Sequence, residues 1–134
     1  MRYAVAYLST AVVFLGLDFV WLGFMGDRLY RRTLQDVLRP GFDLPPALLF
    51  YVLIIAGILF FAVSPALESD RAATAAVRGA LFGFFSYATY DLTSQATVRN
   101  WTWILSLTDI AWGTFLTATA ATIGFLVTRK LTGP

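Results

Sequence analysis

Residues 3–24 read YAVAYLSTAVVFLGLDFVWLGF, an apolar run with one charged side chain, Asp18. The run is close to the ~20 residues that a helix needs to cross a bilayer. A charged side chain near the bilayer centre costs about 2.5–3.5 kcal/mol or more, so an aspartate there indicates a functional site. Because the run contains Asp18 and no small-residue cleavage site follows it, we expect a membrane span and not a cleaved signal peptide.

The chain as a whole is strongly apolar and carries few charges. Of its 134 residues, 58% are hydrophobic and only 13% are charged, and the mean hydropathy is +0.70. A soluble domain would carry about a quarter charged residues. We therefore predict a single all-α transmembrane domain over residues 1–134, an integral membrane four-helix bundle. The predicted spans are about 3–24, 45–67, 72–95 and 104–128.

The residue types that are missing exclude several kinds of chemistry. The chain has no Cys and no His. Disulfides, thiolate nucleophiles, iron–sulfur clusters, imidazole bases and the usual haem ligands are therefore excluded. We expect no metal and no cofactor, and the few arginines form no surface for nucleic acid. Any reaction would depend on carboxyl, hydroxyl, amide and guanidinium groups.

Three aspartates are expected near one membrane face. With four spans, the loops that follow the first and third helices emerge on the same side. Asp18 lies six residues before Phe24, or roughly 9 Å from that end at the helical rise of 1.5 Å per residue. Asp91 lies near the end of the third helix and Asp109 near the start of the fourth. These three are the candidate residues for proton exchange or acid–base catalysis.

A second set of side chains lies at the same depth and can contact a ligand. The predicted ligand-binding residues are Trp21, Tyr87, Tyr90, Gln95, Arg99, Asn100 and Trp112. The pocket would be built from the first, third and fourth helices. The second helix is almost entirely apolar, which favours a structural or lipid-facing role. In the third, Gly79 and Gly83 form a small-xxx-small pattern that allows close helix packing.

Simpler interpretations of the same residues stay open. Tryptophans and tyrosines gather at membrane interfaces without any ligand. Asp91 can be an interfacial loop or capping residue, and Asp109 a residue of the first helical turn. Asp18 can be a structural partner of Arg99 or of a tyrosine. Asp18 and Trp21 have the spacing of Asp109 and Trp112, which suggests two Asp–Trp pairs that face each other.

The segment after the first span predicts a short amphipathic helix at the membrane surface. Over residues 28–39, arginines alternate with an apolar face made by Tyr30, Leu34, Val37 and Leu38, and Pro40-Gly41 ends the pattern. Lys and Arg are balanced between the two sides, so the sequence does not predict an orientation. One side has Arg2, Arg71, Arg78, Arg129 and Lys130, and the other has Arg28, Arg31, Arg32, Arg39 and Arg99. A homo-oligomer is among the open alternatives.

Three stretches resemble the signature of one bacterial family. They are LDFVWLG at 17–23, YDLTSQATVRNW at 90–101 and DIAWGT at 109–114. They are similar to those of small four-helix membrane proteins of unknown function, and the resemblance covers nearly the whole chain. It implies a four-helix integral membrane fold in the bacterial cytoplasmic (inner) membrane and points to Asp18, Asp91, Asn100 and Asp109. Ser94 stands where an Asn is expected in that family. The resemblance implies no activity.

Three functions are compatible with these features. The first, which we favour, is binding and transport of a lipid or hydrophobic small molecule that can be cationic, with Asp18 and Asp109 exchanging protons or contacting the ligand. The second is an intramembrane enzyme that modifies a lipid or isoprenoid with paired aspartates as general acid and base. Mg²⁺ held by the carboxylates fits this second function poorly, because no Asp-rich diphosphate motif is present. The third is an accessory subunit of a membrane complex.

Overall fold

The computed structural model describes residues 1–34 and 43–133, and every regular element in these ranges is helical. Four long helices occupy the four predicted apolar runs. A π-helical turn, Gly26–Tyr30, and a short helix follow the first of them. The helices are α1 (Arg2–Met25), α2 (Arg31–Leu34), α3 (Leu44–Ser69), α4 (Ala72–Thr97) and α5 (Trp103–Thr132).

Three of these helices, α1, α3 and α5, are long and apolar enough to cross a membrane. Helix α4 has 26 residues and is therefore long enough. Its second half, however, carries hydroxyl, amide and carboxyl side chains between Ser86 and Gln95. Such side chains are expensive in lipid, so α4 would cross a membrane only with its polar face turned towards other helices.

Helix α3 changes its hydrogen-bonding register in the middle. Its α-helical start, Leu44–Ile58, gives way to a π-helical turn at Leu59–Val63 and then to α-helix at Ser64–Ser69. Pro65 has no backbone N–H, so the carbonyl group four residues before it loses its usual partner. The Ser64 N–H bonds to the Leu59 carbonyl, five residues back. The proline thus accounts for a π-bulge, a common device at such sites.

Helices α4 and α5 make the most extensive contact in the described part of the chain. A Cβ atom on Gly79 would lie 2.9 Å from the Cβ of Ala121, and one on Gly83 would lie 2.5 Å from the Gly113 carbonyl oxygen. Only glycine allows the two backbones to approach this closely. The small-xxx-small pattern therefore has the packing role that its spacing predicts.

Helix α1 packs against α5 as well. A Cβ atom on Gly124 would overlap the hydroxyl group of Thr10, so this contact is close as well. Phe14, Ile58 and Phe125 are fully buried between the helices. The core therefore lies along α5, which contacts α1, α3 and α4. Each of the four long helices keeps exposed apolar side chains, as expected for a surface that contacts lipid.

The predicted amphipathic helix over residues 28–39 lies partly outside the described residues. The described part contains the turn Gly26–Tyr30 and α2, while Val37, Leu38 and Pro40-Gly41 are not covered. We predicted that Tyr30 lies on the membrane-facing apolar side of this helix. Instead its hydroxyl group donates a hydrogen bond to Asp109. The phenol therefore points into the protein, where a carboxyl group accepts its hydrogen bond.

Candidate functional site

The first carboxyl group of the site belongs to Asp18 on α1, which is 9% exposed. Its Oδ2 accepts a hydrogen bond of 2.8 Å from the Tyr51 hydroxyl of α3. Its Oδ1 accepts one of 3.3 Å from Trp112 Nε1 of α5. Both donors are themselves uncharged, and together they satisfy both oxygens of a buried carboxylate. Of the two structural partners that we considered, the structure brings a tyrosine to Asp18 and leaves Arg99 exposed.

The second carboxyl group belongs to Asp109 on α5, which is 8% exposed. Its Oδ1 accepts a hydrogen bond of 2.5 Å from the Tyr30 hydroxyl. The same hydroxyl accepts one of 2.8 Å from Trp21 Nε1. Burial, with the neighbouring Asp109 carboxyl, raises the pKa of Tyr30 above its ordinary value, so this phenol stays a donor. Thr102 caps the start of α5, so Asp109 lies beyond the first turn and its interpretation as a first-turn residue is wrong.

The third carboxyl group, Asp91 of α4, differs from the other two. It is 0% exposed, and neither of its oxygens receives a hydrogen bond from an N–H or O–H group of the described residues. It lies beside the carboxyl group of Asp109, within hydrogen-bonding reach. Two carboxyl groups can share a hydrogen bond only when one of them carries a proton. Because Asp91 is inside a helix and buried, its interpretation as a loop or capping residue is wrong.

Two tryptophans join the acidic groups into one site. The rings of Trp21 and Trp112 are stacked, with centroids 4.4 Å apart and planes 6° from parallel. Each tryptophan is connected by hydrogen bonds to the acid of the opposite helix. Trp112 of α5 donates directly to Asp18 of α1. Trp21 of α1 donates to the Tyr30 hydroxyl, which in turn donates to Asp109 of α5. The equal Asp–Trp spacings thus give two pairs that do face each other, but with their partners exchanged.

The Tyr87 ring packs against Gly113, where a Cβ atom would overlap it, and lies within electrostatic range of all three carboxyl groups. Gln95 lies further out, where its Oε1 accepts a hydrogen bond of 2.7 Å from Ser106. Tyr90 is 60% exposed. Of the predicted ligand-binding residues, the structure brings Trp21, Trp112 and Tyr87 to the acids. Tyr90, Arg99 and Asn100 lie at the exposed end of α4 and the turn that follows it.

Two contributors were missed at the level of sequence, Tyr51 and Tyr30. We predicted a pocket of the first, third and fourth spans, and the structure adds α3, the second span, which supplies Tyr51. A signal was present: Tyr51 is the single side chain with a hydrogen-bonding group between Leu44 and Val63. Tyr30 had no such signal, because a tyrosine is equally suited to the membrane interface.

A shallow depression of about 510 Å³ adjoins the tryptophan pair. Its lining is Trp21, Leu107, Thr108, Ala111, Trp112 and Phe115. It opens to the outside of the helix assembly, since the Leu107 and Phe115 side chains are exposed. The depression is therefore apolar and aromatic, and its tryptophans are the residues that bond to the acidic groups. It has room for the body of a small hydrophobic molecule.

The three acids of the site have no Lys or Arg partner among the described residues. No Lys or Arg side chain that the structure describes forms an ion pair with Asp18, Asp91 or Asp109. The ion pair that is described lies elsewhere: Arg129 is 2.9 Å from Asp70, and both side chains are about half-exposed. Within residues 1–34 and 43–133, no three acidic groups come close enough to hold a metal ion together. Asp91 and Asp109 are in contact, whereas Asp18 interacts with Asp109 from a distance.

The chain belongs to the family described as "Predicted membrane protein (DUF2177)", whose model matches residues 3–126. This confirms the resemblance to a membrane protein family of unknown function. No curated protein and no solved structure matches the chain.

Proposed function

We propose that this protein is a four-helix integral membrane protein that binds a hydrophobic organic cation at its acidic, aromatic site and carries it across the bacterial cytoplasmic membrane. The observation that carries the proposal is a group of three buried carboxyl groups without a described cationic partner. An apolar depression adjoins Trp21 and Trp112, the tryptophans that connect to Asp109 and Asp18 through hydrogen bonds. A ligand with a positive charge and an apolar body would complement both features.

The contributions to binding can be compared. A positive charge about 4 Å from a carboxylate gains about 4 kcal/mol at an effective dielectric constant of about 20. An aromatic face adds about 0.5–2 kcal/mol of cation–π attraction. The carboxyl groups would therefore determine that the ligand is cationic. Trp21 and Trp112 would select its flat or bulky apolar part.

The position of the site suits a ligand that partitions into the bilayer. Four spans would place Asp18, Asp91 and Asp109 within one or two turns of the same membrane face. Helix α4 would then turn Asp91 towards α5, with which it packs most closely, while the exposed Thr89 and Thr93 hydroxyls bond to carbonyl groups of α4 itself. The depression between α1 and α5 would face the lipid near the headgroups, where amphiphilic cations accumulate.

The test is binding of tetraphenylphosphonium, a lipophilic cation, to the purified protein in detergent, measured by equilibrium dialysis. We expect Asp18→Asn to weaken binding by about tenfold or more, which corresponds to at least 1.4 kcal/mol. Asp70→Asn is the matched control, because it makes the same chemical change at a half-exposed position paired with Arg129. Tetraphenylborate, an anion of the same shape, should not bind. Equal binding of both ions, or an unchanged Asp18→Asn variant, would contradict the proposal.

One observation favours a second function. Carboxyl groups in contact, as Asp91 and Asp109 are, can divide the roles of general acid and general base. An intramembrane enzyme that acts on a lipid or isoprenoid would use them in this way. Native mass spectrometry of gently extracted protein would distinguish the two functions. A retained lipid that is lost in Asp109→Asn would favour the enzyme, and a retained partner protein would favour an accessory subunit.

A further inference from the structure

The number of hydrogen-bond donors differs among the three acids of the site. Asp18 accepts from Tyr51 and from Trp112. Asp109 accepts from Tyr30. Asp91, although completely buried, accepts from no N–H or O–H group of the described residues. A negative charge is stabilised by each donor, so the three positions are not equally suited to a carboxylate.

A buried carboxylate without donors is the most expensive state available to this cluster. If Asp91 carries a proton, its O–H group can donate a hydrogen bond to Asp109, and this has two favourable consequences. The buried oxygens of Asp91 gain a partner, and the Asp109 carboxylate gains a second donor beside Tyr30. The reverse assignment would leave the charge on Asp91, with Asp109 as its sole donor.

The surroundings of Asp91 on each neighbouring element agree with this assignment. Asp109 faces it from α5, and Tyr30 adds a phenol from the turn that follows α1. On its own helix, Tyr87 and Tyr90 lie within electrostatic range. These groups are acids or phenols, and no described Lys or Arg side chain pairs with the cluster.

We propose that Asp91 holds a proton in the resting protein, donates it in a hydrogen bond to Asp109, and releases it when a cation binds at the site. Asp18 would be the acid that contacts the ligand, and Asp91 the acid that stores the proton. In this step the O–H bond of Asp91 breaks, its electron pair stays on the carboxyl oxygen, and the proton passes to water at the nearby membrane face. The exchange of one positive charge for another leaves the charge of the site unchanged. Only the coupling to a cation rests on the proposed function.

The stored proton can be detected without any ligand. Infrared spectra of the purified protein should contain the carbonyl-stretching band of a protonated carboxyl group, and this band should shift in heavy water. We expect Asp91→Asn to remove the band, because the asparagine amide replaces the O–H donor to Asp109. Asp18→Asn and Asp70→Asn should retain it. A wild-type spectrum without the band, or a band that persists in Asp91→Asn, would overturn the proposal.

A second variant tests the proposal in case Asp91→Asn does not fold. In Asp109→Asn the amide oxygen replaces the carboxylate as acceptor of the Asp91 proton, so the band should remain but shift in frequency, while Asp91 itself is unchanged. The elution volume on gel filtration and the helical circular dichroism show whether each variant is folded. If Asp109→Asn is folded and its band has the wild-type frequency, the proton is not donated to Asp109 and the proposal fails.

Release is measured with a pH indicator in weakly buffered detergent solution. Saturation with tetraphenylphosphonium should release close to one proton per bound cation from the wild type and almost none from Asp91→Asn. Full release from Asp91→Asn would overturn the assignment of the coupling proton. A wild type that binds no cation would instead refute the proposed function, whereas the infrared result would still decide where the proton lies.

Discussion

Replacing Tyr51 by phenylalanine isolates the contact between α3 and the acid of α1. The substitution removes one hydroxyl group, which donates at 2.8 Å to Asp18 Oδ2. The Asp18 carboxyl then keeps only the longer bond of 3.3 Å from Trp112. The ring itself stays, and so does its edge-on contact with Phe14 at 6.2 Å. The loss of stability should therefore report on the hydrogen bond and not on packing.

The size of the effect follows from the charge of the acceptor. Hydrogen bonds to charged groups contribute about 1.5–3 kcal/mol to stability, and neutral ones about 0.5–1.5 kcal/mol. Double-mutant cycles in a membrane protein average about 0.6 kcal/mol, with a maximum of about 1.7. We expect Tyr51→Phe to lie at the upper end, near 1.5 kcal/mol. Tyr7→Phe is the matched control, because the Tyr7 hydroxyl donates to a neutral carbonyl, that of Val52, at 3.1 Å. It should cost about 0.6 kcal/mol or less.

The assay is reversible unfolding in mixed micelles of increasing SDS content, followed by helical circular dichroism. A double-mutant cycle with Asp18→Leu completes it. Once the acid is absent, Tyr51→Phe should cost nothing or should stabilise the protein, because no acceptor is left unpaired. If Tyr51→Phe costs no more than Tyr7→Phe, or costs the same in the Asp18→Leu background, Asp18 is not a charged acceptor of this bond and the reasoning is wrong.

Two further predictions concern packing and pH. Gly113→Ala places a methyl group where the Tyr87 ring lies, so the free energy of unfolding should fall by about 1–3 kcal/mol. The control is Gly16→Ala, which has open space around it and should be neutral or stabilising. Equal effects of the two substitutions would contradict the packing of α4 on α5. Because the pKa of Tyr30 is raised on folding, its contribution to stability is complete below the ordinary tyrosine value of about 10 and is lost as the pH rises above it. Stability should therefore fall more steeply above that pH in the wild type than in Tyr30→Phe, and parallel curves would show that Tyr30 is not buried.

The helices, and the position of the three acids near one end of the molecule, were largely predictable. Apolar runs of span length, with proline or polar residues between them, indicate where a helix can lie in lipid. The free-energy cost of an aspartate in such a run is high enough to mark it as a candidate site residue. These are local properties, so Asp18, Asp91 and Asp109 could be assigned to one end of the molecule without knowledge of the packing.

The partners of these acids could not be predicted in the same way. A soluble helix shows its inner face by the alternation of apolar and polar residues, but a helix in lipid is apolar on both faces. The rotation of α3 about its axis is therefore not visible in the pattern of its residues. For this reason Tyr51 was assigned to a structural helix, although its hydroxyl group reaches Asp18.

The sequence by itself determined that the chain is helical, apolar and acidic near one end, because chain length, hydropathy and the cost of a charge in lipid are properties of the residues alone. Only the tertiary structure decided that Asp91 contacts Asp109 without a donor of its own, and that Trp21 and Trp112 each serve the acid of the opposite helix. Those relations depend on helix rotation and on the close approach at Gly83 and Gly113. Such an approach is a property of two backbones together, and no single helix encodes it.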